Sequence, residues 1–139
     1  MDARSAPGLA SRSKALLELT RPGNVAMASV GALVGALVAG AMAWDTDVLL
    51  AMVVTGAVTA GGNALNDLRD HQVDQTAHPG RPLPSGRLPP GAAAALAGAG
   101  FLIGQAAAIP VGLDLLLLVV VVQALLMAYE IWLKGLPLV

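Results

Sequence analysis

Four long apolar stretches divide the chain, at residues 22–44, 48–66, 88–113 and 115–133, and each reads as a membrane-crossing helix. A hydrocarbon core of about 30 Å needs about 20 residues of α-helix, which each stretch approaches or exceeds. Glu130 interrupts the fourth near one end. Residues 67–87 hold a polar Asp-rich motif and a loop, the run from Gln75 to Gly91 being rich in Pro and Gly and turn-forming. Ahead of the first span, residues 1–13 lack periodicity and read as a loose tail. The run KALLELTR at 14–21 predicts a short interfacial helix, with Leu16, Leu17 and Leu19 toward lipid and Lys14 paired to Glu18 at i, i+4. The fold class this pattern predicts is all-α: one multi-pass transmembrane helical bundle over 1–139, with about four helices.

Composition agrees. Of 139 residues 56% are hydrophobic and only 12% charged, with a mean hydropathy of +0.72, which excludes an ordinary soluble domain. The first apolar run begins only at Pro22 and is longer than the core of a signal peptide, so it is expected to remain as an anchor. The eight basic residues (Arg4, Arg12, Lys14, Arg21, Arg69, Arg81, Arg87 and Lys134) all fall on one side of the four spans, and the connections around Asp45, Asp47 and Asp114 hold none. By the positive-inside rule the N-terminus and residues 67–87 then lie in the cytoplasm of a cell membrane. A net charge of −1 points to no nucleic-acid partner, and the absence of cysteine excludes disulfides, thiolate metal sites and cysteine nucleophiles. Trp44 and Trp132 stand where interfacial anchors belong. The spacings of Gly31 with Gly35 and Gly100 with Gly104 suit close helix packing inside one bundle better than a dimer interface.

The candidate chemistry sits where the second span ends. Asn63, Asn66, Asp67, Asp70 and Asp74 recur at spacings that place them on one stripe of a helix. On a soluble protein such a stripe would mark a solvated face. Here it begins inside an apolar span, where polar side chains tend to face a cavity or the bundle interior. Neighbours on a stripe have Cβ atoms about 5–6 Å apart, so three ionised aspartates repel one another unless a cation lies among them. Mg²⁺ suits such a set, because one or two carboxylates hold it and substrate phosphates and water complete its shell. Arg21, Arg81, Arg87 and Lys134 could hold the rest of an anionic substrate, since guanidinium forks match phosphate oxygens. Zinc through His71 or His78 is a poorer fit, because His71 lies about 100° round the helix from Asp70. Tyr129 and Glu130 are weaker candidates.

These residues also carry a resemblance. The run from Asn66 to Asp74 matches the NDxxDxxxD signature of the UbiA-type intramembrane prenyltransferase superfamily, and Ala60–Leu88 looks like its first Asp-rich motif and following loop. Arg21-Pro22-Gly23-Asn24 resembles the Arg-Pro-x-Asn element of its first helix, and Tyr129 with Lys134 resembles the Tyr/Lys element of its fourth. The loop from Pro79 to Gly86 is similar to that of the archaeal branch making digeranylgeranylglyceryl phosphate, with chlorophyll-synthase-like members close. His78 stands where members of that family often carry Arg or another polar residue.

The resemblance implies Mg²⁺-dependent transfer of a polyprenyl group, such as geranylgeranyl, from a prenyl diphosphate to a lipid acceptor such as geranylgeranylglyceryl phosphate. It assigns catalytic and metal-binding roles to Asp67, Asp70 and Asp74, and diphosphate binding to Arg21, Asn24, Asn63, Asn66, Arg81 and Lys134. The partners it implies are the two substrates and the bilayer. Members of the superfamily have about nine spanning helices and a second Asp-rich motif, so this chain is expected to be the N-terminal half of the bundle and inactive alone. Two alternatives stand beside this: an aromatic, quinone or chlorophyll-type acceptor on the same fold, or half of a non-enzymatic cation-coupled transporter.

Overall fold

The computed structural model describes residues 8–134, and among them the chain is helical with no strand. The helices are α1 (Leu9–Thr20), α2 (Pro22–Val38), α3 (Thr46–Arg69), the short α4 (His71–Ala77), α5 (Pro90–Ala108) and α6 (Leu113–Ala128), which continues as a π-helical turn (Tyr129–Leu133). Three stretches are long and apolar enough to cross a membrane: Thr46–Arg69, Pro90–Ala108 and Leu113–Leu133. Helix α2 alone is shorter than these, and reaches that length only if it is counted together with α1 across a bend of 45°. The all-α membrane bundle expected from the apolar pattern is the fold observed.

The bend follows from Pro22. Proline disfavours the right-handed helical region at the preceding residue, which ends α1, while itself suiting a helix start. Arg21 between the two helices takes φ 51°, ψ 73°, the one positive φ outside glycine among the described residues. A side chain in that conformation costs about 1–2 kcal/mol.

Several element boundaries differ from the apolar pattern. The interfacial helix begins at Leu9, earlier than Lys14; the expected tail at residues 1–7 lies outside the described residues. Helix α2 stops at Val38, short of residue 44, where Gly40 at φ 90° turns the chain and the Asp45 carboxylate accepts from the Met42 backbone N–H (3.0 Å). Helix α3 runs three residues past Asn66. Leu19 does not face lipid. It is fully buried with Ala15 against Leu83, Leu88 and Ala93, because the proline-rich loop folds back over α1 and offers an apolar surface there. Glu18 pairs with Arg87 of that loop (2.6 Å) in place of the expected Lys14.

The stripe of Asn and Asp residues also breaks, since α3 ends at Arg69 and α4 starts at His71. The i to i−4 backbone bonds nevertheless continue, Asp70 to Asn66 (2.9 Å) and Asp74 to Asp70 (2.8 Å), so the chain keeps a helical path across the join.

Helix α3 is the centre of the bundle. In lipid the apolar surroundings supply little drive for helices to associate, so close van der Waals packing holds them. Gly61 and Gly100 permit it between α3 and α5: a Cβ at Gly100 would lie 2.6 Å from the Ala57 carbonyl oxygen and 2.8 Å from the Gly61 Cα. Gly31 and Gly35 instead face open space. Ser29 Oγ donates to the Met52 carbonyl (2.9 Å) and ties α2 to α3. Between α5 and α6, Gln105 Nε2 donates to Gln123 Oε1 (2.7 Å) and Gln123 Nε2 to the Phe101 carbonyl (3.1 Å), which satisfies both amides inside an apolar layer.

Candidate functional site

At the end of α3 that carries the Asp-rich join, a cavity of about 610 Å³ opens between Arg21, the α3–α4 join, the loop and the π-helical turn. Arg21, Asn66, Asp70, Asp74, Arg81 and Lys134 line it, together with Arg69, His78 and Glu130. Shared walls lead inward. Arg21, Asn66 and Glu130 also border a second cavity of about 360 Å³ with Asn63, and Val58, Thr59 and Val122 connect that one to a third of about 270 Å³ lined by Val54, Leu115 and Val119. The sequence of walls runs from charged to apolar. A larger cavity of about 720 Å³ lies elsewhere, among α1, α2 and α3, and no charged side chain lines it.

Each aspartate of the stripe has a basic partner, so mutual repulsion is relieved within the protein. Buried Asp67 pairs with Arg21. Asp70 accepts from Lys134 (2.7 Å), which also reaches the Asn66 amide oxygen (3.0 Å) and Glu130 (3.1 Å). Buried Asp74 accepts from Arg81 (2.6 Å), and His78 Nδ1 lies 3.0 Å from its other oxygen. Burial alone would raise the Asp74 carboxyl pKa, but the hydrogen bonds and charges of Arg81 and His78 outweigh it and hold it below its ordinary value. Burial would likewise lower the Lys134 ammonium, and the bonds from Asp70 and Glu130 hold it above its usual value instead. Asn66 Nδ2 donates to Asp70 (3.2 Å), and Asn63 Nδ2 donates to the Thr20 carbonyl (2.8 Å), bracing the bend before Arg21.

The sequence-derived set is thus largely assembled, with three exceptions. Asn24 is exposed on the first turn of α2 and lines none of these cavities. Arg87 is held by Glu18 outside the site. Asp67 points to Arg21 and does not line the outer cavity. Arg69, not singled out as a ligand, and Glu130, named only as a weaker candidate, also stand in the wall. A signal for Glu130 was present: it is a carboxylate inside an apolar span, one helical turn before Lys134.

Lys134 enters through the π-helical turn, where its backbone N–H donates to the Tyr129 carbonyl (2.9 Å), five residues back. The Glu130 carbonyl that an α-helix would use for that N–H accepts instead from Arg69 Nε (3.3 Å). Single π turns inside α-helices recur at functional sites.

Among the described residues no three His, Asp or Glu side chains converge on one ion position. Asp70 and Asp74 do share one cavity wall as hard oxygen donors, which fits a Mg²⁺ ion whose remaining ligands come from substrate and water.

The profile of the UbiA prenyltransferase family matches residues 28–139. A digeranylgeranylglyceryl phosphate synthase of Methanopyrus kandleri is 44% identical over 126 residues, covering 91% of this chain and 46% of that protein. The enzyme of the same name from Methanothrix thermoacetophila is 40% identical over 124 residues, covering 88% and 46%. A solved structure described as giving structural and mechanistic insights into the biosynthesis of digeranylgeranylglyceryl phosphate synthase in membranes superposes with a TM-score of 0.80 at 28% identity, over 88% of this chain and 44% of that one. The chain therefore spans somewhat less than half the length of these relatives. With a profile covering most of its length and an Asp-bearing cavity above a bundle of apolar helices, this integral membrane chain belongs to the UbiA prenyltransferase family.

Proposed function

We propose that the protein carrying this chain transfers a geranylgeranyl group from its diphosphate to the hydroxyl of geranylgeranylglyceryl phosphate, and that the described cavity receives the diphosphate. The observation supporting this most is the continuity of a charged mouth, lined by both cations and carboxylates, with apolar cavities between α3 and α6. A prenyl diphosphate has that division of polarity. The names of the relatives supply the acceptor class.

Arg21, Arg81 and Lys134 would bind diphosphate oxygens as the allylic C1–O bond breaks and its electron pair leaves with the diphosphate. Asn66 would orient the Asp70 carboxylate and Lys134, as its two bonds already do. Asp70 and Asp74 would hold Mg²⁺, which when bound supplies Lewis-acid neutralisation of the diphosphate charge. The apolar walls would exclude water from the allylic cation. The acceptor oxygen then bonds to C1, and its proton leaves with the diphosphate.

The full-length natural protein in membranes, given Mg²⁺, geranylgeranyl diphosphate and geranylgeranylglyceryl phosphate, is expected to yield the diether phosphate and one diphosphate per turn. Cation flux without prenyl transfer would replace this reading with the transporter.

We further place the cavity on the cytoplasmic face of the cell membrane, since the basic residues cluster on its side. Cysteine in place of Ser85 should react only with reagent on the cytoplasmic side, and in place of Thr46 only from outside. External labelling of the Ser85 variant would reverse the orientation.

A further inference from the structure

Four cations border the outer cavity: Arg21, Arg69, Arg81 and Lys134. Three of them are paired to carboxylates, Arg21 to Asp67 behind the wall, Arg81 to Asp74 and Lys134 to Asp70 and Glu130. Among the described residues Arg69 alone of the four has no carboxylate partner. It is exposed, in the last turn of α3, and its one hydrogen bond there runs from Nε to the carbonyl that the π-helical turn releases. That tether uses one of five guanidinium donors and leaves the terminal fork uncommitted. A cation in the last turn suits the helix dipole, but this does not account for a tether aimed from the opposite wall.

We propose that Arg69 binds the phosphate of the lipid acceptor. The inference rests on the prenyl-transfer reading above. That reaction brings together two anions, a diphosphate and a phosphomonoester. The diphosphate claims the three cations that sit among the aspartates, so the acceptor's phosphate needs a separate donor. It also needs one at the rim, because the acceptor must present its hydroxyl inward while its doubly charged phosphate stays near water. An exposed guanidinium with a free planar fork meets both conditions and can bind two phosphate oxygens at once.

The test compares the full-length enzyme with Arg69→Gln and Arg69→Lys. Arg69→Gln should raise KM for geranylgeranylglyceryl phosphate about 10–100-fold, the scale of one charge-assisted pair, and leave KM for the prenyl diphosphate within about twofold. It should also erase the preference for the phosphorylated acceptor over the same ether lipid without phosphate, and Arg69→Lys should restore part of it. A rise in KM for the prenyl diphosphate would assign Arg69 to the diphosphate instead, and unchanged values for both would leave it a helix-end charge; either overturns the proposal. Equilibrium binding of the acceptor in detergent micelles separates the two readings: lost affinity in Arg69→Gln alongside an inactive wild type would keep this assignment and reject prenyl transfer.

Discussion

Replacing Asp70 or Asp74 by Asn should lower prenyl transfer by about 10²–10³-fold or more while leaving membrane insertion intact. Both carboxylates line the cavity, and each is already held in place by a cation, Asp70 by Lys134 and Asp74 by Arg81. An amide of the same shape keeps the packing and removes the charge. The loss would fall on kcat as well as KM, because the charge matters most when the diphosphate separates. Asp67→Asn should behave differently, since Asp67 is buried against Arg21 and does not line the outer cavity. Its cost would appear as reduced stability, an unpaired Arg21 being left beside the bend. The measurement is kcat at saturating Mg²⁺ against the yield of folded protein for all three variants. Near-normal kcat for Asp70→Asn and Asp74→Asn would remove them from the metal site.

Gly100→Ala should be the most damaging single methyl in the bundle. The added carbon would lie 2.6 Å from the Ala57 carbonyl oxygen and 2.8 Å from Gly61, both backbone, so α3 and α5 would have to separate. Overpacking of this kind costs about 1–3 kcal/mol, which corresponds to a fall of roughly 2–12 °C in Tm. Gly104→Ala meets Val58 Cγ2 at 2.7 Å, the end of a side chain, and should cost less. Gly31→Ala meets nothing and should be neutral or slightly stabilising, because alanine is the better helix former. A thermal melt of the three variants in one detergent tests the order, and a Gly100→Ala protein as stable as wild type would show that the α3–α5 contact can relax.

The difference among these glycines illustrates how far the sequence could be read. The spacing of Gly100 and Gly104 matched that of Gly31 and Gly35, yet only the first pair meets a neighbouring helix, because spacing does not say which face a neighbour covers. The spans were legible since lipid requires long apolar helices, and the aspartates were legible because they lie within about one turn of each other along α3 and α4. Pairings across the chain were less so. Lys134 and Asp70 are 64 residues apart, and only the shared side of the membrane suggested that they meet. The π-helical turn left no trace, since α6 from Leu115 to Ala128 is apolar on every face but for Gln123 and one extra residue shifts no visible periodicity. Leu19 was misplaced because the surface covering it comes from a loop, which carries no period of its own.

The pairing of charges at the mouth bears on how substrate arrives. Asp70, Asp74 and Glu130 in the cavity wall, with buried Asp67 behind Arg21, stand among Arg21, Arg69, Arg81 and Lys134, an equal number of each sign although Arg69 meets only a carbonyl. Such a balanced cluster projects little field beyond a Debye length of about 8 Å in physiological salt, so it exerts no long-range steering on anions in the aqueous phase. On the prenyl-transfer reading proposed above, encounter would then belong to the bilayer. A prenyl tail dissolved among the lipids would diffuse laterally in two dimensions until its headgroup reached the cavity, and only at contact would the ion pairs exchange partners. The local concentration governing capture would be the amount of prenyl lipid per area of membrane.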